Sequence, residues 1–289
     1  MSTPVPSGTA SYQQYTPHRA GLPNLVEYFK ELWRRREFAQ EMSRARIRGS
    51  NDNTVFGTAW LLLDPMLQSV IYFVLINFIR GSGGAHPGQV FAHLTGSLFA
   101  FRLCQSAVST GAKSVTSAGK VLLNTNFPRL LIPLSSVRTG FVHFLPTIPL
   151  YLLIHLVVGG KWSFDMLGAI YFLACLLVFG MGLSAIVATL TVYFRDFANF
   201  LPYLLRLWMY LSPVLWLPQQ MTGRAPLVRA MVGANPMFSM LGGYSQLIQE
   251  ARWPALHTFA ASAGWAIASV IVGFLFFISR EREFAVRVL

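Results

Sequence analysis

The chain has 289 residues, of which 54% are hydrophobic and only 12% charged. A soluble domain carries roughly twice that share of charge, so an ordinary water-soluble enzyme, a disordered chain and a disulfide scaffold are all excluded. The formal net charge of +12 is read as cationic flanks of membrane helices rather than as a nucleic-acid footprint.

Residues 1–23 have the composition of a flexible tail, with no apolar stretch of the kind found in a leader. Asn24 is placed to cap a helix, with Glu27 at the capping-box position. Leu25, Phe29, Leu32 and Trp33 form an apolar stripe, extended by Phe38 and Met42. Lys30, Arg34, Arg35 and Glu37 occupy other faces. The segment 24–48 therefore reads as one amphipathic helix at the membrane surface or against a cytosolic partner.

The remainder, 49–289, reads as one all-α membrane domain. Six spans are predicted: 57–79, 90–111, 131–158, 167–192, 200–216 and 258–278. Pro65 is expected to bend the first, and Pro146 and Pro149 the third. The small-residue run Gly180–Ala185 in the fourth permits close helix approach. Between 217 and 256 the chain is broken by prolines and glycines. The pieces 226–232 and 237–249 are too short to cross and read as re-entrant or interfacial helices. Fifteen Lys and Arg residues fall on the side of the termini and five on the other, which predicts cytoplasmic termini. Cys104 and Cys175 fall inside predicted spans, as small buried residues rather than a bridge or metal pair.

No phosphate-binding loop is present. The nearest stretch, Gly111–Lys120, has the wrong spacing. No His, Cys or carboxylate cluster suggests a metal, a cofactor or acid–base chemistry, so no catalytic residue is assigned. Four groups of residues carry chemistry, and each has two readings. Asp64 either partners a nearby arginine or takes part in gating. Arg195-Asp196, in a short connection, either clamps its own turn or receives motion from a cytosolic subunit. Arg102, Arg138 and Arg206, inside predicted spans, either snorkel or line a conduit where guanidinium groups would meet an anionic headgroup. Phe197, Phe200, Tyr203, Trp208, Tyr210 and Trp216 either anchor the helix at the interface or stack on sugar rings.

The chain resembles the transmembrane subunits of type-2 ABC exporters of polysaccharides, which serve O-antigen and teichoic acid export. The resemblance spans about residues 25–280. It rests on RIRGSNDNTVFGTAWLLLDP with Gly57, Trp60 and Pro65, and on NTNFPRLLIPLSS with Phe127, Pro128, Arg129 and Pro133. It rests further on YFRDFANFLPYLLRLWMYLSPVLW with Arg195, Asp196, Ser212 and Pro213, and on Asn235-Pro236 followed by Tyr244. Within the family the pattern looks most like the mycobacterial-type galactan exporter subunit, and it departs from many relatives at Asp64 and Ser245. The resemblance implies a homodimer in the plasma membrane with two copies of a separate P-loop ATPase, which would hold the ATP and magnesium. The cargo it implies is a polyprenyl-diphosphate-linked glycan passing between the two membrane subunits. Residues 24–48 would then dock the partner, with Glu37, Glu41, Arg195 and Asp196 in ATPase coupling. Asp64, Pro65, Phe127, Pro128 and Arg129 would gate the cytosolic mouth. Tyr203, Trp208, Tyr210 and Trp216, with Arg102, Arg138 and Arg206, would line the conduit. Two other classes share many of these signals: an ABC-type exporter of small drugs or lipids, and an integral membrane glycosyl or acyl transferase.

Overall fold

The computed structural model describes residues 23–50, 55–80, 87–119, 127–217 and 232–287, with Gly223, Ala225 and Leu227. Residues 1–22 of the predicted tail and most of the predicted piece 226–232 lie outside the described residues. Every described element is helical.

Asn24 caps α1 (Leu25–Arg34), its side chain accepting from the Val26 amide at 3.2 Å. The single helix predicted for 24–48 is two, because Arg35 leaves helical geometry and α2 (Arg36–Ser50) starts afresh. The apolar stripe is also divided. Tyr28 is buried, with Leu25, Leu32 and Met42 packed beside it, whereas Val26, Phe29 and Trp33 face outward. One face of this segment docks on the bundle, and another is left apolar and exposed.

A 3-10 turn at Gly57–Ala59, entered with Gly57 at φ +49°, leads into α3 (Trp60–Arg80). Pro65 sits inside α3, which continues through it. Then come α4 (Pro87–Ala112), a single turn α5 (Ser114–Ser117), α6 (Leu131–Phe144) and α7 (Thr147–Val157). The α6–α7 break falls at Leu145-Pro146, where proline cannot supply an amide hydrogen. A 3-10 turn at Phe164–Gly168 opens α8 (Ala169–Tyr193), followed by α9 (Phe197–Leu211), α10 (Pro236–Gln249) and α11 (Leu256–Arg280). Helix α9 stops at Ser212 (φ −99°, ψ 155°), an extended conformation that the following Pro213 imposes.

The expectation of six membrane spans is corrected to four. Among the described residues, four helical stretches are long and apolar enough to cross a bilayer: Gly57–Phe78, Leu131–Val157, Phe164–Tyr193 and Leu256–Glu283. Helix α9 has 15 residues, about 22 Å at 1.5 Å per residue, short of a hydrocarbon core of about 30 Å. Helix α4 is long enough, but it carries His93, Thr95, Ser97, Arg102, Gln105 and Ser106 and lies within the bundle. From Ala92 to Phe101 every residue is buried. A helix surrounded by protein need not be lipid-soluble, and hydropathy alone does not separate the two cases. Helix α10, in the stretch expected to be re-entrant or interfacial, is buried over most of its length, with Met237, Met240, Leu241 and Leu247 fully covered.

The centre of the bundle is α8, packed most extensively against α11 and then α4. The run Gly180–Ala185 makes this possible. A Cβ on Gly182 would lie 2.2 Å from the Ser269 backbone, and one on Gly273 would lie 2.2 Å from the Gly182 carbonyl oxygen. Ser269 completes the crossing by donating its hydroxyl to the Phe179 carbonyl at 2.9 Å. Against α4, Ser184 occupies the space that a side chain at Gly111 would need. Lipid tails are as apolar as the helices, so close backbone contact and such hydrogen bonds supply the association energy. Gly182→Leu is expected to lower the stability of the detergent-solubilised chain by about 1–3 kcal/mol, read as a lower thermal midpoint. Gly264→Ala, where a Cβ meets nothing within 4 Å, is expected to leave the midpoint near that of the parent.

Candidate functional site

The residues singled out by sequence gather in three places. The first is the end of the bundle where the terminal segments meet. Tyr28 of α1 donates to Glu281 Oε2 at 2.6 Å, Arg129 donates to the Glu281 carbonyl, and the Leu130 amide reaches the Tyr28 hydroxyl at 3.4 Å. Burial first, and then the Glu281 carboxylate, raise the Tyr28 hydroxyl well above the ordinary phenol range, so it remains a donor at any physiological pH. Phe127 packs on Phe38 with ring centroids 4.6 Å apart, and Pro128 is buried beside them. Close by, Tyr193 at the end of α8 donates to Glu283 at 2.5 Å, and Arg287 covers its ring.

Helix α2 is bound to α6 by polar contacts in the same region. Arg138 donates to the Gln40 carbonyl at 2.8 Å, Thr139 donates to the Ser43 hydroxyl at 2.9 Å, and Arg46 donates to the Ser136 hydroxyl. Glu37 is exposed, and Glu41 pairs with Arg44 at 2.5 Å. Arg195 and Asp196 form the turn before α9. Both are exposed, and among the described residues no hydrogen bond or ion pair holds either side chain.

The second place is a cleft of about 300 Å³ between α3, α4, α6 and α7. Asp64 and Arg102, far apart in sequence, meet there in an ion pair of 2.7 Å. Trp60, Pro65, Ser106 and His143 also line the cleft. Among the described residues His143 Nε2 has no hydrogen-bond partner. This is a charged cleft set into an otherwise apolar bundle, with a guanidinium able to meet an anion.

The third place surrounds α9. Trp208 Nε1 donates to Asn235 Oδ1 at 2.9 Å, and Asn235 in turn donates to the Leu211 carbonyl and the Ser212 hydroxyl, each at 3.2 Å. Asn235 also caps α10 by accepting from the Met237 amide at 3.0 Å. Trp216 donates to the Tyr210 carbonyl at 3.2 Å and stacks on Phe238. Tyr210 meets Tyr72 of α3 edge-on at 6.4 Å. Tyr203 and Arg206 are exposed on α9. The aromatic candidates are thus divided. Trp208 is held inside the protein, whereas Tyr203, Tyr210 and Arg206 face outward.

Sequence reasoning missed Tyr28 and Glu281, whose partnership spans 253 positions and leaves no local signal. The only trace was Tyr28 lying beside the stripe that contained Leu25 and Leu32. Among the described residues no group of three His, Cys, Asp or Glu side chains could hold a metal ion, and Cys104 and Cys175 are buried free thiols.

The chain is similar to permeases of O-antigen export systems. It is 26% identical over 267 residues to the O-antigen export system permease protein RfbA of Myxococcus xanthus, covering 90% of this chain and 99% of that protein. It is 28% identical over 199 residues to the O-antigen export system permease protein RfbA of Klebsiella pneumoniae, covering 68% of this chain and 74% of that protein. A second Klebsiella pneumoniae protein of the same description is 26% identical over the same length. No family model matches. At 26–28% identity these similarities are to O-antigen export permeases, and they do not reach a galactan-exporting subtype. With several apolar spans, the chain is a multi-pass membrane protein.

The clamp at the terminal end gives a direct test. Tyr28→Phe removes a hydrogen bond to a charged group, which typically contributes about 1.5–3 kcal/mol. Amide hydrogen exchange across 25–34 is expected to accelerate, while exchange in the centre of α8 stays as in the parent.

Proposed function

We propose that this chain is the membrane permease subunit of an ATP-driven exporter that moves a polyprenyl-diphosphate-linked polysaccharide, a galactan in the narrowest reading, from the cytoplasmic to the outer side of the plasma membrane. The observation that carries the proposal is similarity along nearly the whole of an O-antigen export permease, 90% of this chain and 99% of that protein. A chain without a phosphate-binding loop takes its energy from elsewhere. Two copies of this subunit paired with two copies of a P-loop ATPase supply it, with ATP and magnesium bound on the partner.

Charge supports cytoplasmic termini. The contacts among Tyr28, Arg129, Glu281, Tyr193 and Arg287 gather both terminal segments and the ends of α6 and α8 at one end of the bundle. Eleven of the 23 lysines and arginines belong to the two terminal segments, as cytoplasmic flanks of membrane helices do. In this reading residues 1–23 are a cytoplasmic tail, 24–48 the docking helices and 49–289 one transmembrane domain. Glu37, Glu41, Arg195 and Asp196 take the ATPase's motion. Phe127, Pro128 and Arg129, with Asp64 and Pro65, stand at the cytosolic mouth. Tyr203, Tyr210 and Trp216, with Trp208, Arg138 and Arg206, serve the conduit.

Reconstitution with the partner ATPase and a lipid-linked glycan tests this proposal. Glycan is expected on the far leaflet only when both subunits and ATP are present. Arrival without the ATPase, or an ATPase stimulated by small amphiphiles and indifferent to the glycan, would refute it. In the same assay Arg195→Glu with Asp196→Arg is expected to reduce export per ATP hydrolysed while the complex still assembles.

A further inference from the structure

The polar cleft does not stand alone. Phe99, Phe144 and Thr147 form a wall common to it and to a second cavity, an almost wholly apolar crevice of about 630 Å³ between α4, α7, α8 and α10. The crevice has a buried floor, where Phe99, Phe144, Tyr151 and Ala169 are covered, and an exposed rim of Ile148, Leu152, Leu167 and Ile170. Such a groove admits a chain from the side. One cavity offers a guanidinium and a histidine, and the adjoining one is lined almost wholly by hydrocarbon and aromatic rings, the hydroxyls of Thr147, Tyr151, Ser163 and Tyr244 being the exceptions. A ligand that uses both has a charged head joined to a long apolar chain. One cation beside one groove suits one chain rather than the two of a bilayer phospholipid.

The direction of the pair fits as well. Arg102 lies ten residues before the end of α4 nearest the terminal segments, about 15 Å by helical rise. The crevice extends away from it to Trp162 and Phe164 at the opposite end. A lipid in the leaflet next to the terminal segments points its head toward them and its chain away.

Asp64 occupies the position an anion would take. It holds Arg102 through one oxygen at 2.7 Å and is itself exposed. A guanidinium has five donors in a planar fork, and a phosphate engages two of them together where Asp64 engages one.

We infer that cleft and crevice are a single site for the polyprenyl diphosphate end of the cargo, in which the diphosphate displaces Asp64 from Arg102 and the isoprenoid chain lies in the crevice. The inference rests on the proposed function for its choice of lipid, and adds where on this chain that lipid is held. Asp64 is then a built-in competitor that keeps the arginine paired while the site is empty.

The full-length chain in phosphatidylcholine nanodiscs, titrated with radiolabelled geranylgeranyl diphosphate, provides the test. Inorganic diphosphate and geranylgeraniol are each expected to compete at least about tenfold more weakly than the joined molecule, since each uses half the site. Arg102→Gln and the crevice-filling Leu173→Trp are each expected to weaken binding about tenfold, and Asp64→Asn to tighten it several-fold. The opposite signs at Arg102 and Asp64 separate a site from a structural ion pair, because loss of fold would weaken both. Weakening by Asp64→Asn, unchanged affinity in Leu173→Trp, or competition by phosphatidylglycerol equal to that of the probe would each overturn the inference. Binding as expected from a chain whose reconstituted complex exports no glycan would leave the site standing and remove the function. ATP-driven export without probe binding would do the reverse.

Discussion

The bundle depends on how closely α8 can approach its neighbours. In a lipid environment there is no water to drive helices together, so backbone proximity and the few hydrogen bonds it permits must supply the association. Gly182 and Gly273 bring α8 and α11 to a distance that no Cβ would tolerate, and Ser269 turns that approach into a hydrogen bond with Phe179. On the other side Gly111 accepts Ser184, and Gly180 fits against Cys104 and Ala107. Because α8 is fixed on both flanks, α4 can be enclosed. Only an enclosed α4 can carry so many polar side chains between apolar helices.

Local signals were legible where one residue type imposes a backbone outcome. Asn24 capping and the interruption at Pro146 both follow from a side chain or ring acting on its own neighbours, whereas the span expected to run to 216 stops at Leu211, ahead of Pro213. The run Gly180–Ala185 was legible as a packing surface because small residues have that consequence wherever they sit in a membrane helix. Span number was not legible in the same way. Hydropathy records whether a segment could face lipid, whereas α4 faces protein, and α9, with 15 residues, is too short to cross. The amphipathic segment was overread for a related reason. Its apolar stripe reads as one face in the sequence, but Leu25 and Leu32 turn to the protein while Phe29 and Trp33 are exposed.

Of the candidate site, the residue types were readable and their partners were not. Asp64 as the companion of an arginine was one of two readings, but which arginine depended on α3 lying against α4. The aromatic residues of α9 were visible as a cluster. Their division into an inward Trp208 and outward Tyr203 and Tyr210 depends on helix rotation, which Asn235 fixes from a separate element. Glu281 carries no local mark at all. It acquires meaning only when the end of the chain returns to Tyr28 and Arg129.

These placements give α6 a particular position. Its Ser136, Arg138 and Thr139 receive α2, and one turn further on its Gly140, His143 and Phe144 line the cleft that holds Asp64 and Arg102. Ser136 also faces Thr110 of α4 across a long contact of 3.5 Å. A helix is stiff over one turn, so a displacement of α2 that keeps its bonds to α6 must carry His143 and Phe144 with it. Phe144 is part of the wall shared by cleft and crevice. A movement of α2 that kept those bonds would therefore alter the polar and the apolar cavity together, through one stretch of backbone.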